Sequence, residues 1–160
     1  MEKALDDVVP LAWAGYVASA WMIVFAVLSF YWALGGTAGI NTVSLGQELT
    51  GELSFITILW LTGILKLGGG VLALALVQPW GQLLPRRLVL LSAWGVSVLL
   101  VLHGSDFMIQ GALTEDRLIG LPAPATWTTA HWQTFVWGPW WLLGGIAFYV
   151  ATWNYQRRSR

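Results

Sequence analysis

The stretch Leu53–Val77 reads LSFITILWLTGILKLGGGVLALALV, and its one charge, Lys66, stands near the middle. An apolar run of that length predicts a helix long enough to cross about 30 Å of hydrocarbon. A cation at that depth costs roughly 2.5–3.5 kcal/mol or more unless it is paired, hydrated or reaching an interface. The folded chain must therefore offset Lys66, and the residues that do so mark the place to look for a site.

Three further apolar runs accompany it: Leu11–Leu34, Arg87–Leu113 and Trp132–Trp153. Together the four predict an all-α, integral membrane, antiparallel four-helix bundle. It forms a single domain over residues 1–160, with spans near 11–34, 53–77, 87–113 and 132–153. Composition agrees. The chain is 57% hydrophobic and 10% charged, against about 25% charged in an ordinary soluble domain. Twelve Trp suit the interfacial belts where amphipathic rings settle. The absence of Cys excludes disulfides, thiol nucleophiles and iron–sulfur clusters. A net charge of zero leaves no basic footprint for nucleic acid.

The connections are unequal. Gln78–Arg86 is short, holds Pro79, Gly81 and Pro85, and predicts a tight hairpin between spans two and three. Gly35–Glu52 carries five Gly, which predicts irregular backbone. Pro122 and Pro124 stop helix in the third connection. The start, Met1–Asp7, is acidic and lacks a basic leader, so the first run reads as a retained helix. Lys3, Arg86, Arg87, Arg157, Arg158 and Arg160 fall on one side of the bundle and Arg117 on the other. The positive-inside rule then predicts a multi-pass protein of the inner (plasma) membrane with both termini cytoplasmic.

Candidate chemistry converges on span three. His103, Asp106 and Gln110 recur at helical spacing and share one face. Thr62, Gly63, Gly69, Gly70 and Ala73 make the Lys66 face of span two small enough for close packing. Rise per residue brings Lys66 and His103 toward one level, and side chains lean toward their own helix N-terminus. Lys66 is therefore expected to bond His103 or Asp106, directly or through water. Tyr31, Trp32, Trp137 and Trp141 are candidate aromatic walls of a pocket opening outward above Lys66, although an interfacial belt accounts for such residues too. Pro139 predicts a kink in span four.

Other chemistries fare poorly. Two His and no Cys leave a zinc shell to carboxylates. His131 lies about a turn and a half from the level a bis-His haem with His103 would need, and four helices leave little room for a retinal-type Schiff base on Lys66. Gly68-Gly69-Gly70 lies inside a span and reads as packing surface, and Glu48 and Glu52 read as solvated loop charges. No metal and no cofactor is expected.

Three motifs in order, Phe30-Tyr31-Trp32-Ala33-Leu34-Gly35-Gly36, Lys66 before Gly68-Gly69, and Gln78-Pro79-Trp80-Gly81 with Pro85-Arg86-Arg87, resemble DUF3995, a family of small bacterial four-helix membrane proteins. The resemblance covers most of the chain and implies the same topology. It implies no activity.

The favoured functional reading is a binding module. It would hold a small apolar or amphipathic, lipid-like ligand in the outer half of the bundle, through Lys66, His103, Asp106 and Gln110 with Tyr31, Trp32, Trp137 and Trp141. One alternative is an enzyme on a lipid or sterol-like substrate, with His103 and Asp106 as acid and base. Another is a structural subunit of a membrane complex, in which the charged pair is glue between spans. Membrane lipid is the expected surrounding partner, and a homo-oligomer fits the size.

Overall fold

The computed structural model describes residues 9–43, 53–115 and 127–158. Their helices are α1 (Val9–Ala33), α2 (Leu53–Ala75), α3 (Arg86–Glu115), α4 (Trp127–Trp132) and α5 (Gly138–Arg158), and no strand occurs among them. Four helical stretches are long and apolar enough to cross a membrane: Ala12–Ala33, Leu53–Ala75, Arg86–Leu113 and Thr128–Arg158. Among the described residues the fold is thus all-helical, with four helices fit to span a membrane. The readings that fell on Met1–Asp7, Glu48, Glu52, Arg117, Pro122 and Pro124 lie outside the described residues.

The Tyr31–Gly36 motif is a helix stop. Gly35 takes φ +94°, a left-handed conformation that costs glycine nothing. The amides of Gly35 and Gly36 turn back onto the carbonyls of Trp32 and Tyr31 at 3.0 and 2.9 Å, satisfying the open end of α1. Trp32 Nε1 donates to the Ala38 carbonyl at 2.9 Å, and the Ala38 amide donates to the Tyr31 hydroxyl at 3.3 Å. Trp32 then packs with Ile40, Phe55 and Leu59 in a small cluster.

The fourth span is not one uniform helix. A π-helical turn, Gln133–Trp137, separates α4 from α5, closed by the Gly138 amide on the Gln133 carbonyl. It ends two residues before Pro139. Proline has no N–H to give, and its ring meets the carbonyl four residues back. Widening the turn relieves that contact, so the expected disturbance at Pro139 takes the form of a π-turn. The turn sets Trp137 against the α1 end, where its Nε1 donates to Thr42 Oγ1 at 3.0 Å.

Packing is uneven, and this decides where space is left. The principal core joins Trp21, Met22 and Phe25 of α1, Ala73 of α2, Leu100 of α3 and Phe148 of α5. Helix α1 packs closely on α2, α3 closely on α5, and α1 on α5 links the two pairs, whereas α2 and α3 barely touch. The tight turn after α2 is present as the 3-10 helix Pro79–Leu83, yet the helices it joins part above it. The α3–α5 contact depends on Gly104. A methyl added there would lie 2.8 Å from the Gly138 carbonyl oxygen and 2.9 Å from the Leu142 nitrogen, both backbone atoms. Gly68 of α2, by contrast, has nothing within 4 Å of an added methyl.

This contrast gives a direct test. Gly104→Ala should lower unfolding stability in detergent by about 1–3 kcal/mol, because overpacking cannot be relieved by moving a side chain. Gly68→Ala should be neutral or stabilising by up to about 1 kcal/mol, since alanine is the better helix former and meets no neighbour. Reversible thermal or denaturant unfolding of the two variants reads both values.

Candidate functional site

Lys66 is half-buried on α2 and its amine turns toward α1. Nζ donates to Ser29 Oγ at 2.7 Å. Ser29 is 1% exposed, and its own hydroxyl donates to the Phe25 carbonyl one turn earlier at 3.1 Å. The serine therefore satisfies its proton along the helix and keeps a lone pair for the ammonium. The ammonium also stands 4.0 Å from the centroid of the Phe25 ring and 5.8 Å from that of Trp141. Aromatic faces within about 6 Å attract a cation, the more so when it is desolvated. The cation is thus met by one hydroxyl and two π faces.

The direct bond expected from Lys66 to His103 or Asp106 is replaced by this arrangement. The reason is the gap between α2 and α3. Lys66 leans onto α1, which lies close, and not onto α3, which does not. Trp141 fills the interval: its ring is 5.8 Å from the Lys66 amine and 4.6 Å, edge-on, from the His103 ring. His103 also lies 4.6 Å from Phe107. Asp106 and Gln110 do share a face of α3, as their spacing predicts, but they engage each other, Gln110 Nε2 donating to Asp106 Oδ2 at 2.8 Å on the exposed side of the helix.

A cavity of about 660 Å³ occupies the gap. Lys66, Thr62, His103 and Trp141 lie toward one end, and Met22 of α1 is also in the lining. From there it runs along Gly68 and Leu72 of α2 and along Leu99, Gly95 and Ser92 of α3. Both Gly68 and Gly95 face open space, with nothing within 4 Å of an added methyl. The mouth is lateral, since lining residues Leu65 and Leu99 are 74% and 60% exposed. Most of the hollow extends from the level of Lys66 toward the Pro79–Leu83 turn, with Thr62 one turn the other way. Thr62 Oγ1 is committed to the Leu59 carbonyl at 3.1 Å. Lys66 and His103 are the ionisable groups of the lining, and Thr62 and Ser92 add hydroxyl oxygens.

Of the residues singled out in the sequence, Lys66, His103 and Trp141 come together at one cavity. Trp137 lies behind the cavity wall, stacked on Phe25 with ring centroids 6.1 Å apart and planes 13° from parallel. Tyr31 and Trp32 serve the α1 stop, and Asp106 and Gln110 lie further along α3. Sequence reasoning missed Ser29 and Phe25. Their signal was available: Ser29 is one of two serines in an otherwise apolar span, and Phe25 precedes it by one helical turn.

The partner assignment can be measured. A double-mutant cycle over Lys66→Met and Ser29→Ala should give a coupling of about 1 kcal/mol, the scale of hydrogen bonds between membrane helices. The corresponding cycle with His103→Gln should give a smaller value. Unfolding equilibria in mixed micelles supply all the corners.

No curated protein and no solved structure matches the chain. A family profile described as "Protein of unknown function (DUF3995)" matches residues 22–148, which takes in the α1 stop, Lys66, the α2–α3 turn, His103 and Trp141. The chain belongs to the DUF3995 family.

Proposed function

We propose that this protein is a multi-pass binding protein of the inner membrane that holds a small amphipathic, lipid-like ligand in the cleft between α2 and α3. An acceptor oxygen on the ligand's polar group would bond Lys66, with His103 and Trp141 beside it. Its apolar part would lie along Gly68, Gly95 and Leu99. The observation that carries this reading is the Lys66 amine at the wall of a largely apolar 660 Å³ cavity, with one N–H given to Ser29. An ammonium has three donors and no acceptor. Ligand sites are typically cavities of about 300–1,000 Å³ with a few convergent polar groups. The lateral mouth supports entry from the lipid phase.

The topology proposed with it has alternating spans and both termini cytoplasmic. Gly63 against Phe30, Gly69 against Met22 and Gly15 against Val77 support opposite directions for α1 and α2. The Lys/Arg distribution supports the cytoplasmic side. Asp106 lies outside the lining of the 660 Å³ cavity and accepts from Gln110, while sharing an open groove along α3 with His103.

The test is ligand retention. The chain extracted in mild detergent should carry about one copy of a lipid-soluble molecule detectable by mass spectrometry of the solvent extract. Lys66→Met should lose it while remaining folded, because a methionine of similar volume needs no hydration in an apolar site. The paired substitutions Gly68→Leu and Gly95→Leu should lose it by filling the space. Full retention by folded Lys66→Met protein sinks the reading.

A further inference from the structure

The Lys66 end of the α2–α3 cleft is rich in donors and has a one-sided charge. Lys66 gives one N–H to Ser29 Oγ at 2.7 Å, which leaves two of the three that an ammonium carries. The His103 ring contacts Phe107 and Trp141, and among the described residues no hydrogen bond engages its nitrogens. Thr62 beside them has given its proton to the Leu59 carbonyl at 3.1 Å. Ser92, the other hydroxyl of the lining, lies about 17 Å along α3 from His103. Lys66 makes no ion pair among the described residues, and Ser29, Phe25 and Trp141 around its amine are neutral. The acids among those residues are Asp106, which accepts from Gln110 outside the lining, and Glu115 at the far end of α3. Lys66 stands about 20 Å of helix from the start of α2 at Leu53, a depth at which a lone charge is costly.

We propose that the cleft takes a long-chain carboxylate, a fatty acid, with its carboxylate on Lys66 and its chain along Gly68, Leu72, Leu99 and Gly95. The proposal rests on the cleft being the binding site, and adds the charge and the head of its ligand. An ionised carboxylate only accepts hydrogen bonds, so donors are all it needs. Its single charge balances the single ammonium, whereas a phosphate monoester would bring about twice that charge. Hydrogen bonds from an ammonium to a carboxylate are shorter and stronger than those between neutral groups. Beyond Lys66 and His103 the lining holds no ionisable group. Gly68 and Gly95, with nothing within 4 Å of an added methyl, leave room for an acyl chain.

The test offers the delipidated full chain, in neutral detergent, probes of one chain length: palmitate, hexadecanol and methyl palmitate, at a pH where the acid is ionised. Native mass spectrometry should show wild type binding palmitate roughly tenfold or more tightly than either neutral analogue, the scale of a hydrogen bond to a charged group. Lys66→Met should lose that preference and bind the three alike. Gly68→Leu with Gly95→Leu should lose all three. Equal binding of acid and neutral analogues by wild type overturns the carboxylate but leaves the cleft reading standing, since retention of a neutral lipid satisfies that reading. Hexadecyl phosphate bound more tightly than palmitate overturns it too. So does a preference for the acid that survives in Lys66→Met or in the paired leucine variant, which would place the carboxylate on basic residues elsewhere. Binding of none of the probes overturns it as well, while the retained-ligand measurement still decides the cleft. Should Lys66→Met fail to fold, the wild-type comparison and the leucine pair decide.

Discussion

The structure turns on one ammonium group that cannot be left in hydrocarbon. Lys66 meets the Ser29 hydroxyl and the faces of Phe25 and Trp141, all neutral groups. Taking two charges out of water to form a buried ion pair is expensive, and the attraction often only offsets the loss. A cation held by a hydroxyl and π faces needs no second buried charge. It also keeps positive potential at the cavity wall, where a carboxylate partner would have cancelled it. The aromatic residues around it are mutually braced: Phe25 contacts Trp141 edge-on at 4.6 Å and stacks on Trp137. Fixed rings make the cation's position well defined.

The bundle stays open on one side because α2 and α3 each pack closely on a different partner. Small residues bring α1 to α2 and α3 to α5, and close backbone approach is what holds helices together when lipid competes equally for apolar surface. Between α2 and α3 the small residues Gly68 and Gly95 oppose each other across space. Two glycines facing an opening bury nothing and hold nothing. Their presence there fits a wall kept thin more than a seam.

Much of the fold was legible in the sequence because apolar runs in a membrane protein have one physical outcome. Every backbone donor must be satisfied within the span, so a long apolar run becomes a helix. Lys66 and His103 were legible as a pair from rise per residue, and Trp141 as one of four candidate aromatic walls. The choice of Lys66 partner was not. Rise and tilt give the level of a side chain but not the separation of two helices, and the separation of α2 from α3 is set by contacts of each with a different neighbour. Tyr31 and Trp32 were read as walls because aromatic content says nothing about which N–H is needed to close a helix end. The π-turn escaped because only the proline after it is visible, and a kink, a break and a widened turn share that signature.

That widened turn has a consequence for anyone reading the fourth span by eye. Each residue of a regular helix advances the azimuth by about 100°, so one residue in excess between Gln133 and Trp137 puts the two ends of the span out of phase. A helical wheel drawn straight through from Trp127 to Arg158 would assign the aromatic positions before the turn to the wrong face. It also supplies a place where relatives could gain or shed a single position while both flanking segments keep their neighbours.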